Sequence, residues 1–152
     1  MASFQAPLPK WISPTTKLIS GYAAIFDLLD QSGDVIKRGA FGKSLLKLKS
    51  LPLLNSHDPR ESLGEVLTAF ENEIGLFIIA AVATNWPRIK VGTGLSFAYR
   101  VVDGCKIDQT RRLKRLELIE ISLTKNPMVP LCRIDWIGKA EDLAYVCNVA
   151  RS

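Results

Sequence analysis

The sequence predicts a mainly β fold of the α+β kind, an antiparallel sheet or barrel with peripheral helices. Three observations carry this. Short apolar runs of strand length outnumber stretches with helical periodicity. The strand-like runs do not alternate regularly with helical ones, which argues against a doubly wound parallel sheet. The chain has 152 residues, of which 47% are apolar and 23% charged. That is one domain, and a chain of this size buries about 70% of its unfolded surface without needing staples.

Residues 1–16 contain Pro7, Pro9 and Pro14 and little periodicity, so they read as an extended N-terminal arm. Residues 17–27 form a strand with an irregularity at Gly21. Asp30 to Asp34 is a turn. Residues 40–49 place Phe41, Leu45 and Leu48 at helical spacing and predict a short amphipathic helix. The apolar run 51–55 stops at Ser56-His57-Asp58-Pro59, where the Asp-Pro pair signals a turn. Residues 63–70 and 74–83 are strands joined at Glu71, Asn72 and Glu73 as a hairpin. Asn85-Trp86-Pro87 interrupts the chain. Residues 94–102 and 113–124 are strands, and a helix is expected over 139–149. The organisation is thus an arm (1–16), a main domain (17–130) and a C-terminal helical segment or tail (131–152).

Composition excludes several classes. No apolar run approaches the roughly 20 residues of a membrane span, and the first ten residues lack a secretory signal, so a cytoplasmic protein is expected. Cys105, Cys132 and Cys147 form no CxxC pair and predict free thiols rather than a disulfide framework or a zinc site. Gly-rich phosphate loops and HExxH motifs are absent, so no cofactor or metal is expected. The charge is +5, from 20 Lys and Arg against 15 Asp and Glu. Much of the surplus lies between Lys106 and Arg115, which reads as a solvated loop or, more sharply, a loop for an anion or acidic partner. A basic barrel binding nucleic acid would need aromatics along a positive groove. Only Tyr99 and Trp86 lie near basic residues, so nucleic acid is not an expected partner.

His57 is the chain's single histidine. It reads either as a surface or hydrogen-bonded structural residue or as a general base, for which a pKa near 6.5 is suited. Ser96 shares a strand face with Gly94 and Ala98. The open space around its hydroxyl suits an attacking nucleophile, although small residues also let another element approach closely. Glu120 lies mid-strand with Leu118, Ser122 and Thr124 on its face. A carboxylate there must be paired, by an imidazole N–H that it would orient or by an arginine of the basic stretch.

The order of several blocks is more specific than any one of them. The chain reads GYAAIFD (21–27), DVIKRGAFGKSL (34–45), LLNSHD (53–58), LGEV (63–66), GLFIIA (75–80), GLSF (94–97) and LELIEISLTKNP (116–127). This resembles the HK97-type prohead serine protease family of tailed phages, over about residues 20–130. The resemblance implies a closed, mainly antiparallel β-barrel with surrounding helices, similar to the herpesvirus assembly proteases. It implies a serine endopeptidase that cuts scaffold or a capsid-protein extension inside the prohead in the host cytoplasm. It implies the major capsid protein or scaffold as substrate, and a homodimer as a possibility. The family's catalytic His and Ser match His57 and Ser96, and its acidic member matches Glu120, with Glu117, Asp58 or Asp27 as alternatives. A backbone N–H near Arg111 and Arg112 is the expected oxyanion donor. The stretch 84–93 is shorter than in family members, and a noncatalytic capsid-associated module with the same fold is the alternative function.

Overall fold

The structure is a computed structural model and describes residues 2–84 and 89–143. Among these residues nine strands form one sheet: β1 (Ser3–Gln5), β2 (Lys17–Ile25), β3 (Asp34–Ile36), β4 (Pro52–Asn55), β5 (Asp58–Glu71), β6 (Gly75–Val82), β7 (Gly94–Ile107), β8 (Thr110–Thr124) and β9 (Ile134–Lys139). The helical content is α1 (Gly42–Lys47) and a single 3-10 turn at Ala140–Asp142.

β8 is the organising strand. β7 pairs with it antiparallel along its whole length. β3 and β4 pair with it in parallel, at Arg111–Leu113 and Ile121–Leu123. The path then continues through β4, β5, β6, β2 and β9, with β1 added beside β5. β6 explains why its stretch of sequence is apolar without interruption. Ile78 and Ala80 enter one core cluster and Phe77, Ile79 and Ala81 the other, so both faces of the strand are covered.

Two fold expectations are corrected. The sheet is not closed into a barrel. Among the described residues, the start of β7 meets the segment leading into β9 at an isolated bridge between Gly94 and Arg133, flanked by Gly92 N–H to the Ile134 carbonyl, Leu95 N–H to the Cys132 carbonyl and Ile134 N–H to the Thr93 carbonyl, each 2.8 Å. Closure requires a continuous ladder. β7 instead bulges between Ala98 and Tyr99 and twice more between Val101 and Gly104, bending the strand. It runs on with β8 as a two-stranded ribbon. The peripheral helices are also nearly absent. The helix expected over 40–49 lasts six residues, because Leu48 already has extended backbone. So short a helix is not stable by itself. It is held by burial of Leu45 and by the Leu118 N–H, which donates to Ser44 Oγ at 2.8 Å. Where a helix was expected over 139–149, Lys139 ends β9 and the 3-10 turn follows; residues 144–149 lie outside the described residues, as do Asn85, Trp86, Pro87 and Cys147.

The basic stretch Lys106–Arg115 is ladder rather than loop, with Ile107 opposite Thr110 across a two-residue turn in which Asp108 has φ 55°. Arg111 does not face solvent alone. Its guanidinium grips the buried Asp34 through two bonds of 2.8 Å, and Tyr99 Oη donates to the same carboxylate at 2.9 Å. Arg111 holds the Asp34 carboxyl below the usual carboxylate range, while burial and Asp34 push Tyr99 up to about 12. This pins β3 to the ribbon.

Close backbone approach is severe at Gly75, where a Cβ would lie 1.9 Å from the Ala24 carbonyl oxygen of the paired strand β2. Gly75→Ala is expected to cost about 3 kcal/mol, because backbone rather than a side chain must give way. Thermal unfolding should show a fall of about 10 °C; an unchanged midpoint would contradict the tight β2–β6 packing.

Candidate active site

The site begins with a turn the sequence disguises. Asn55 pairs with Asp58, so Ser56 and His57 form a two-residue hairpin loop between β4 and β5. Both have positive φ, 49° and 63°. Such loops favour Asn and Gly, and side chains like these cost about 1–2 kcal/mol each in that region. The strain is held by β8: Ser56 N–H donates to the Leu123 carbonyl and His57 N–H to Ser122 Oγ, both at 2.9 Å.

Alternation along β8 puts Glu120 and Ser122 on one face. Glu120 is 4% exposed and Ser122 fully buried. Glu120 Oε1 meets His57 Nδ1, and Ser122 Oγ donates to Glu120 Oε2 at 2.6 Å. One hydroxyl thus fixes both the carboxylate and the backbone that carries the imidazole. The hydrogen bond that His57 donates to Glu120 raises the His57 pKa above its ordinary value, against a smaller opposing effect of burial. The His57 side chain remains 41% exposed, so solvent screens the pair.

Ser96 on β7 is directly opposite Ser122 on β8, and Ala98 is opposite Glu120. Direct cross-strand neighbours share a face with Cβ atoms about 5 Å apart. The structure therefore places Ser96 one cross-strand neighbour from the oxygen that holds His57. It does not join them: the Ser96 hydroxyl is buried and has no hydrogen-bond partner among the described residues. A buried hydroxyl left unpaired costs about 1–3 kcal/mol and calls for an explanation.

The alternative acids are bound elsewhere. Asp58 pairs with Arg60, Glu117 with Arg100, and Asp27 with Lys37. The oxyanion expectation near Arg111 and Arg112 fails on distance. Arg111 is opposite Lys106, ten residues from Ser96 along β7 and roughly 30 Å away at strand rise; its N–H is also taken by the Gly33 carbonyl. Ser122 is the residue that sequence reasoning passed over, noted only as a polar neighbour of Glu120. The signal was a second polar residue two positions on, inside an otherwise apolar strand. Cys105 and Cys132 are free thiols, and burial pushes the Cys132 thiol up to about 12. Among the described residues no group of three or more His, Cys, Asp or Glu is placed to hold a metal, and no helix is long and apolar enough to cross a membrane.

Comparison with solved structures gives a fold relative. The chain resembles the protease of Kaposi's sarcoma herpesvirus (KSHV) in complex with a hexapeptide phosphonate inhibitor, at 12% identity and TM-score 0.55, covering 90% of this chain and 77% of that one. A second KSHV protease structure matches at 13% identity and TM-score 0.49, covering 90% and 74%. The varicella-zoster virus protease matches at 12% and 0.47, covering 71% and 57%. At such identities the likeness speaks for the fold alone, and it rests on the first of these. No curated protein matches the sequence. A family model described as caudovirus prohead serine protease matches residues 9–144, nearly the whole chain. That match carries the conclusion that this chain belongs to the caudovirus prohead serine protease family.

Proposed function

We propose that this chain is a serine endopeptidase of the Ser-His-Glu type that cuts scaffold or a capsid-protein extension inside the assembling prohead, in the host cytoplasm. The observation that carries the reading is the engagement of His57 Nδ1 by Glu120, which leaves Nε2 as the atom free to serve a nucleophile. Ser96 attacks the scissile carbonyl, and its proton passes to His57 Nε2. His57 returns that proton to the leaving amine, and water then hydrolyses the acyl-enzyme by the same route in reverse. Glu120 holds the Nδ1–H tautomer and stabilises the imidazolium. Ser122 positions both. Ser96 comes within hydrogen-bond reach of His57 Nε2 on substrate binding, as catalytic hydrogen bonds often tighten only in the complex.

The test is co-expression with a tailed-phage major capsid protein and scaffold, read on a denaturing gel. A shortened capsid or scaffold band is expected with the natural chain and is lost with His57→Ala. Processing that survives His57→Ala would sink the mechanism.

A further inference from the structure

Beside the site lies an open groove of about 680 Å³. It starts where the site ends: Ser56, next to His57, and Gly94, two residues before Ser96, both line it. Its buried floor includes Ile89 and Leu123. Among the described residues its charged lining is of one sign, Lys90, Lys125 and Arg133, with no carboxylate. One acid reaches the lining from outside, Glu61, which accepts from Asn55 Nδ2 at 2.6 Å. The three cations form no ion pair among the described residues. Arg133 is instead held by neutral acceptors, the Pro130 carbonyl at 2.7 Å and the Gly92 carbonyl at 3.0 Å. Its guanidinium is fixed in place with its charge unanswered.

A fixed, unpaired guanidinium with two lysines at the mouth of a half-apolar groove selects anions by charge and extended chains by shape. We propose that this groove takes the acidic flank of the peptide to be cut, so that Asp or Glu near the scissile bond is a specificity determinant. The inference rests on the protease reading for the word "cut", and on the groove alone for the word "acidic". An extended segment of five or six residues spans about 17–20 Å, enough to bring several side chains past the cations.

The test has two arms. In the first, the Ser96→Ala chain is titrated into a fluorescein-labelled peptide alternating Ala and Glu, and into its Ala and Gln counterpart, with anisotropy as the readout. The Glu peptide is expected to bind about tenfold tighter at low salt, with the advantage shrinking as salt is added. Lys90→Glu with Lys125→Glu should abolish or reverse the preference while circular dichroism stays unchanged; Lys125→Gln alone should reduce it about threefold. Equal binding of the two peptides, or a preference indifferent to these substitutions, overturns the proposal. So does tighter binding of a twelve-nucleotide thymidine strand, which would assign the groove to nucleic acid. In the second arm the natural chain digests a peptide library, and products are aligned on the cut bond. Enrichment of Asp and Glu beside that bond supports the proposal, and cleavage without it overturns it. A Glu preference in binding with no cleavage by the natural chain would retire the protease reading and leave the groove assignment standing.

Discussion

Ser96→Ala should abolish proteolysis, by about 10⁴-fold or more, and should leave the protein as stable as before or slightly more so. The two halves of that result have one cause. The Ser96 hydroxyl is buried without a hydrogen-bond partner among the described residues, so the folded state carries its desolvation cost without return. Removing the oxygen removes the nucleophile and, with it, that cost. A gain of up to about 1 kcal/mol is expected, readable as a raised denaturant midpoint with an unchanged slope. A structural serine would behave in the opposite way, losing stability while sparing activity. Cleavage that persists in this variant would refute the assignment of Ser96.

Glu120→Gln should cost about 10⁴-fold in kcat and move the pH profile downward. Glu120 touches His57 with one oxygen and Ser122 with the other. An amide in its place either offers an NH₂ to Nδ1, which forces the proton onto Nε2 and removes the base, or turns that NH₂ toward Ser122 and leaves the serine's O–H without its acceptor. In the proposed mechanism the natural chain works through neutral His57. Because Glu120 raises the His57 pKa, the acid limb of kcat/KM should lie above about 6.5. In Glu120→Gln that limb should fall towards the ordinary value or below it, since only burial remains to act on the ring. The same pair has a stability signature. A raised folded pKa means a contribution fully present below about pH 6.5 that disappears as pH rises through the folded value. The natural chain should therefore lose part of its stability advantage over Glu120→Gln between mildly acidic and alkaline pH. An acid limb at the same pH in both chains would show that Glu120 does not govern the base.

Much of this was legible in residues. Period-two patterning placed the strand pair that carries Ser96 and Glu120, and the punctuation at Ser56 to Pro59 placed His57 at a turn. The ordered blocks, rather than any single one, identified the family. What was not legible depended on pairing between distant segments. The Asp58-Pro59 pair reads as a turn, but Asp58 begins β5, and the turn is the strained Ser56–His57 pair that only β8 makes tolerable. Lys106 to Arg115 reads as a loop because its charges look unanswered; Asp34, some 77 positions from Arg111, answers one of them. Whether a sheet closes depends on bulges such as that at Ala98 and Tyr99, which leave no composition signal. Ser122 was hidden by its own economy, since one hydroxyl serves two partners.

The parallel docking of β4 on β8 also sets a timetable. β7 and β8 are joined by a two-residue turn, so the strand pair bearing Ser96, Glu120 and Ser122 can zip up from local contacts. His57 arrives by another route. Its turn is seated by Leu53 against Ile121, Leu54 against Ser122 and Asn55 against Leu123, partners drawn from opposite halves of the chain. Loops that long close slowly. In the proposed mechanism the nucleophile's half of the site is thus built early and the base is delivered late, so a newly made chain remains silent until this non-local pairing of β4 with β8 has formed.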